Sequence, residues 1–163
     1  MPTLLTLAFL LPLPFFRSAP RTDQAAWRQL LEAFSQRGVL VTSDHPRCRE
    51  PDLYGLYVRG SRTVVVCERG DRSATLRHEG WHLVQSLCLQ GIPWLSRQQI
   101  DARLSRSDRL ELQTLVQPEQ LQREAEARVM ARLSAADYLA QLNRACAQRL
   151  APQQQPDPMA GGR

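Results

Sequence analysis

The chain has 163 residues, enough for one domain with a real core and little room for a second. Apolar residues make up 43 % and charged residues 23 %, a balance that argues against a largely disordered chain, and no apolar run is long enough for a bilayer-spanning helix. All 21 basic residues are Arg and the formal charge is +5, but the arginines are interleaved with Asp and Glu, so no specific nucleic-acid partner is expected.

Residues 3–16 are almost wholly apolar, about the length of the hydrophobic part of an export signal. Pro12 and Pro14 oppose a buried first helix or strand there. No basic residue precedes the run, and the nearest cleavage site follows Ala19, with Arg17 poorly suited to it. Residues 1–19 are read as a signal or targeting segment, 20–150 as the folded domain and 151–163, rich in Gln, Pro and Gly, as a disordered tail. Four cysteines follow the apolar run, with no C-x-x-C pair, which favours two disulfides over a redox motif. Both features place the protein outside the cytoplasm, secreted or periplasmic.

Thr22 can cap a helix over residues 23–37, in which Trp27, Leu30, Leu31 and Phe34 share one face and Gly38 stops the chain. Residues 39–41 are a short strand candidate. Residues 54–58 and 63–67 read as a hairpin, with a two-residue type II′ turn at Gly60-Ser61, Val58 opposite Thr63 and Tyr54 opposite Cys67. The unbroken Val64-Val65-Val66 points to the inside of a sheet. Ser73 can cap a helix running to about Gln90, with Leu76, Gly80, Leu83, Val84 and Leu87 on its apolar side. One or two short helices follow over 96–116, punctuated by Ser105 and Ser107. Pro118 opens a helix to about Leu133, and Ser134 with Asp137 caps a last one to about Leu150. The fold class is α+β: a small antiparallel hairpin packed on one helix, then a mainly helical C-terminal half.

The chemistry lies in His78-Glu79-Gly80-Trp81-His82, which fits H-E-x-x-H on an expected helix. Residues i and i+4 share a helix face, so two imidazoles can point at one Zn2+ ion, and the adjacent Glu79 can reach a zinc-bound water as general base. A third ligand is required. Downstream, Glu124 and Glu126 lie two apart, about 200° around their helix, and cannot both face the metal. Leu121, Ala125, Val129 and Leu133 mark the buried stripe, and Glu124 borders it, so His78, His82 and Glu124 are the expected ligands with Glu126 as the alternative. An ordinary i, i+4 pair of Glu124 with Arg128 is the bland reading of the same residue.

A small strand pair, an H-E-x-x-H helix and a downstream helix bearing Glu124-Ala125-Glu126-Ala127 resemble the gluzincin-type zinc metallopeptidases, in particular their minimal single-domain members. The resemblance covers roughly Cys48 to Cys146. It implies a zincin-like fold, zinc as cofactor, a peptide or protein substrate and Glu124 as third ligand, with Arg128 replacing the usual Asp or Asn. It also implies that a substrate strand adds to the hairpin, with Tyr57 and Val64 as candidate contacts. The reaction implied is peptide-bond hydrolysis. Tyr54, Tyr57 and Tyr138 are candidate donors to the oxyanion, each more readily read as a packed aromatic. A zincin-like fold kept as a catalytically silent binding module is the alternative function.

Cys48 precedes the hairpin and Cys67 ends it, whereas Cys88 ends the metal-bearing helix and Cys146 lies in the last one. A Cys67–Cys88 bridge would have to cross the whole intervening helix, about 24 Å, so the pairs Cys48–Cys67 and Cys88–Cys146 are expected.

Overall fold

The computed structural model describes residues 20–147, so the expectations for 1–19 and 151–163 lie outside the described residues. Helix α1 is Pro20–Ser35, and Gly38 beyond it takes a left-handed φ of 67°. Leu30 and Phe34 are fully buried, with Trp27 and Leu31 packed half-buried beside them, which is the face the apolar spacing marks. Strands β1 (Leu40–Thr42), β2 (Gly55–Val58) and β3 (Thr63–Val66) follow.

The hairpin pairs β2 with β3 antiparallel, with Val58 opposite Thr63. Its turn differs from expectation. The Ser61 N–H donates to the Val58 carbonyl at 3.1 Å, so Arg59 and Gly60 are the central residues, and Gly60 carries the positive φ of 75° in the second of those places. The register survives because the Ser61 hydroxyl takes over the end of the ladder, donating to Val58 O and accepting from Thr63 N–H. The sheet order is β1-β3-β2, and β1 joins β3 in parallel. Val64, Val65 and Val66 are buried in this central strand. Val64 therefore cannot offer its backbone to an added strand, which corrects its assignment as a substrate contact; β2, carrying Tyr57, is an edge strand.

Helix α2 (Arg72–Leu87) crosses the sheet and is also packed by α1, α5 and α6. Its N-cap is Asp71, whose side chain accepts from Ala74 N–H; Ser73, the expected cap, is buried as the second residue of the first turn. Two glycines let its neighbours approach. A Cβ on Gly80 would lie 2.3 Å from the Phe34 ring and 2.9 Å from the Tyr138 hydroxyl, and one on Gly55 would lie 2.6 Å from Thr75. Gly55 thus allows β2 to lie directly against the helix that carries the motif.

Helices α3 (Arg97–Asp101) and α4 (Arg106–Leu115) each begin at a reciprocal capping box, Ser96 with Gln99 and Ser105 with Asp108. Pro118 opens a 3-10 turn that leads into α5 (Leu121–Ala131). Ser134 caps α6 (Ala135–Cys146) by accepting from Asp137 N–H. Disulfides join Cys48 to Cys67 and Cys88 to Cys146, as the reach argument requires. The first staples the loop before β2 to the end of β3; the second ties the end of α2 to the end of α6. Among the described residues no helix is long and apolar enough to cross a membrane.

Candidate metal centre

His78 and His82 sit one turn apart on the face of α2 that meets α5, their rings edge-to-face at 4.9 Å between centroids. Glu124 reaches them from α5. Its Oε1 lies 3.2 Å from His78 Nε2 and its Oε2 3.1 Å from His82 Nε2. The three residues present ligand atoms within 4.8 Å of one another, on half-buried side chains. Two imidazole nitrogens and a carboxylate oxygen converging on one point are the donor set of a three-ligand zinc site with an open position, so the residues fit the ion their pattern implies.

The electrostatics of the cluster follow from its closeness. Burial opposes ionisation of Glu124, but the hydrogen bonds and positive charge of His78 and His82 outweigh it and hold the carboxyl far below the usual range. Burial likewise pushes the His78 imidazole down, and the Glu124 hydrogen bond and charge, aided by Glu79, reverse this and leave it raised. Arg128 stands one turn along α5 at 3.6 Å from Glu124 and bridges to Glu111 on α4 at 2.7 Å. The i, i+4 pair is thus present alongside the histidine contacts, and Arg128 braces Glu124 from behind.

His82 is oriented by a residue that the motif does not include. Its Nδ1 lies 2.9 Å from Gln85 Oε1, which leaves Nε2 for the cluster. The Gln85 amide nitrogen donates to Glu126 Oε2 at 2.8 Å and to the Arg123 carbonyl at 2.9 Å. Gln85 lies three residues beyond His82 on the same helix, and that spacing is the signal that could have found it.

Glu126 is no ligand candidate. It is 2 % exposed and points into the protein, accepting from Trp81 Nε1 at 3.0 Å and Gln85 Nε2, and from the backbone N–H groups of Trp94 and Leu95 at 2.7 Å each. Four donors on its two oxygens leave it nothing to offer a metal. This corrects its place as the alternative ligand.

Glu79 lies at the cleft between β2 and α5. Its Oε2 accepts from the backbone N–H of Tyr57 at 2.9 Å, so the edge strand fixes one carboxylate oxygen. A cavity of about 170 Å3 beside Glu79, His82 and Glu124 is lined in part by Tyr57 and Gln120. A larger cavity of about 310 Å3 lies between α3, α4 and α5 and includes none of the motif residues.

The three tyrosines part company. Tyr138 is fully buried against Phe34 and Trp81, with its hydroxyl beside Gly80, whose place two residues from either histidine puts it on the opposite side of α2. It cannot serve as an oxyanion donor, and burial pushes its hydroxyl well above the ordinary phenol range. Tyr54 is half-exposed and packs against Gly70. Tyr57 alone of the three lines the cleft. Trp81 is core, and its indole is also a donor to Glu126.

No protein-family model, curated protein or solved structure matches the chain. The functional reading therefore stands on the residues and their geometry.

Proposed function

We propose that this protein is a zinc-dependent peptidase that hydrolyses peptide bonds at the cleft between β2, α2 and α5. The observation that carries the reading is the convergence of His78, His82 and Glu124 with Glu79 adjacent in the same cleft. Bound there, zinc would supply Lewis-acid polarisation of a carbonyl and acidify a water to a pKa of about 7. The chain's own residues supply the rest. His78 and His82 present their nitrogens one turn apart on α2, and Gln85 fixes the His82 ring. Glu79 takes a proton from the attacking water as the C–O bond forms, and passes it to the amine nitrogen as the C–N bond breaks. The Tyr57 N–H holds one Glu79 oxygen and leaves the other to handle that proton. The edge of β2 is where an extended peptide would align, through backbone groups other than the Tyr57 N–H that Glu79 occupies.

The two disulfides fit a protein that works in an oxidising, extracytoplasmic compartment. The catalytically silent alternative shares the metal site and differs in turnover alone.

The test begins with metal analysis of the purified chain, where a single zinc is expected. Glu79→Gln keeps the shape of the side chain and removes the base. It should retain zinc and lose about 100-fold or more in hydrolysis of a peptide library. A wild-type chain that takes up no zinc, or a Glu79→Gln variant as active as wild type, would overturn the reading. Zinc uptake with no hydrolysis of any library member would select the silent module.

A further inference from the structure

The cavity beside His82 and Glu124 carries a second chemistry. Arg123 and Arg59 both line it, one from α5 and one from the turn between β2 and β3. Arg123 is half-buried, and its side chain makes one long hydrogen bond, 3.3 Å to the His82 carbonyl. A guanidinium has five N–H donors in a planar fork, so most of this one is uncommitted. Two cations drawn together at the wall of a cavity repel each other, and an anion between them removes that cost.

The neighbouring groups sharpen the picture. Tyr57 is 8 % exposed, and its hydroxyl is buried with no hydrogen-bond partner. Of the two carboxyl groups in the cavity wall, Glu124 is shared between both histidines and Glu79 has one oxygen on the Tyr57 N–H. The cavity is about 170 Å3, smaller than the roughly 300–1,000 Å3 of pockets for drug-sized ligands, so its occupant is one short side chain or a chain terminus.

We propose that this cavity is a carboxylate pocket that selects the substrate: Arg123 and Arg59 clamp a carboxylate close to the scissile bond. The inference rests on the peptidase reading of the adjacent centre and adds its substrate class. The carboxylate belongs either to an Asp or Glu side chain or to the free C-terminus of the peptide. The recognition chemistry is the same, a charge-assisted and bidentate Arg contact.

The test uses the zinc-loaded full chain and pairs of small hydroxamates that share one linker and end in a carboxylate or in the neutral carboxamide, with two or three methylenes between. At low salt, calorimetry should find the better carboxylate probe bound at least about tenfold more tightly than its carboxamide twin. Arg123→Gln should reduce that preference to about twofold or less, and Arg123→Lys should restore part of it, since the charge returns without the fork. Arg59→Gln, on an exposed turn, should fold normally and lose a smaller part of the preference. Circular dichroism of each variant separates a lost pocket from a lost fold. Peptide arms then distinguish the source: a Glu-over-Gln preference with an amidated terminus selects the side chain, and a free-acid-over-amide preference selects the terminus. Equal binding of both probe types at every linker length, with zinc retained, would overturn the carboxylate pocket and leave the metal centre standing. Failure of every hydroxamate on a chain that holds no zinc would overturn the metal centre and this inference with it.

Discussion

Glu124 and Glu126 share a helix and stand two residues apart, yet they belong to different parts of the molecule. Glu124 points from α5 across to the histidine face of α2 and shares its two oxygens between two imidazoles. Glu126 points inward and accepts from four N–H groups on α2 and the segment before α3. The first is a carboxyl whose partners are ligands in waiting; the second is a carboxyl whose partners are saturated. Gln85 links the two regions, with its oxygen at His82 and its nitrogen on Glu126. The interior carboxyl is thus part of what sets the angle of a ring at the surface of the cleft.

The comparison breaks most visibly if each glutamate is truncated in turn. Glu126→Ala orphans two backbone N–H groups, an indole and an amide inside the protein. It should destabilise the fold by about 3–5 kcal/mol, read from denaturant unfolding of the metal-free chain. Glu124→Ala should cost less of that metal-free stability, about 1–2 kcal/mol, because its histidine partners keep some contact with water. The same variant should lose zinc on dialysis. A Glu126→Ala chain as stable as wild type, or a Glu124→Ala chain that keeps its zinc, would erase the distinction.

Why the two residues could be told apart beforehand only in part is a matter of range. Helical spacing places Glu124 at the border of the Leu121, Ala125, Val129 stripe, and that local geometry sufficed to prefer it. It says nothing of Trp81, Gln85 or the N–H groups of Trp94 and Leu95, which reach Glu126 only when α2 and the chain before α3 pack together. The same limit explains the other differences. Local pairing and reach are legible, so the hairpin register and both disulfides follow from spacing. The parallel β1–β3 contact joins segments over 20 residues apart and leaves no short-range mark. Asp71 and Ser73 are both good caps, and burial of Ser73 against the fold decided between them. Nothing local distinguishes Tyr138 from the other two tyrosines; the packing of α6 puts it behind Gly80.

A smaller effect tests the link itself. Gln85→Ala removes the partner of His82 Nδ1 and one of the four donors on Glu126. Loss of an outer hydrogen bond to a ligating histidine should weaken zinc affinity about 10- to 100-fold, measured by competition with a chelator. The fold should lose about 1–3 kcal/mol, less than in Glu126→Ala, because three donors still hold the carboxyl. Unchanged zinc affinity would mean that His82 needs no support from the interior, and the two regions would be independent.

The smallest effect is in the pH dependence, and it should change sign with metal. In the metal-free chain Glu124 is held below its ordinary value of 4.5, so the stability it contributes is present above that pH and fades as the carboxyl protonates at lower pH. His78 is raised above its ordinary 6.5, so its contribution is present below that pH and fades as the imidazole loses its proton at higher pH. Both are fully in force between about 4.5 and 6.5, and the metal-free melting temperature should fall between pH 5.5 and pH 8. Zinc needs both imidazoles neutral, so its binding displaces the proton that His78 otherwise holds, and the rise in melting temperature on adding zinc should grow over the same interval. Thermal melts at the two pH values, each with chelator and with excess zinc, read both slopes. A metal-free melting temperature that rises toward pH 8 would mean that the His78–Glu124 contact does not govern the slope. A zinc-induced rise in melting temperature no larger at pH 8 than at pH 5.5 would mean that the ion does not take the place of that proton.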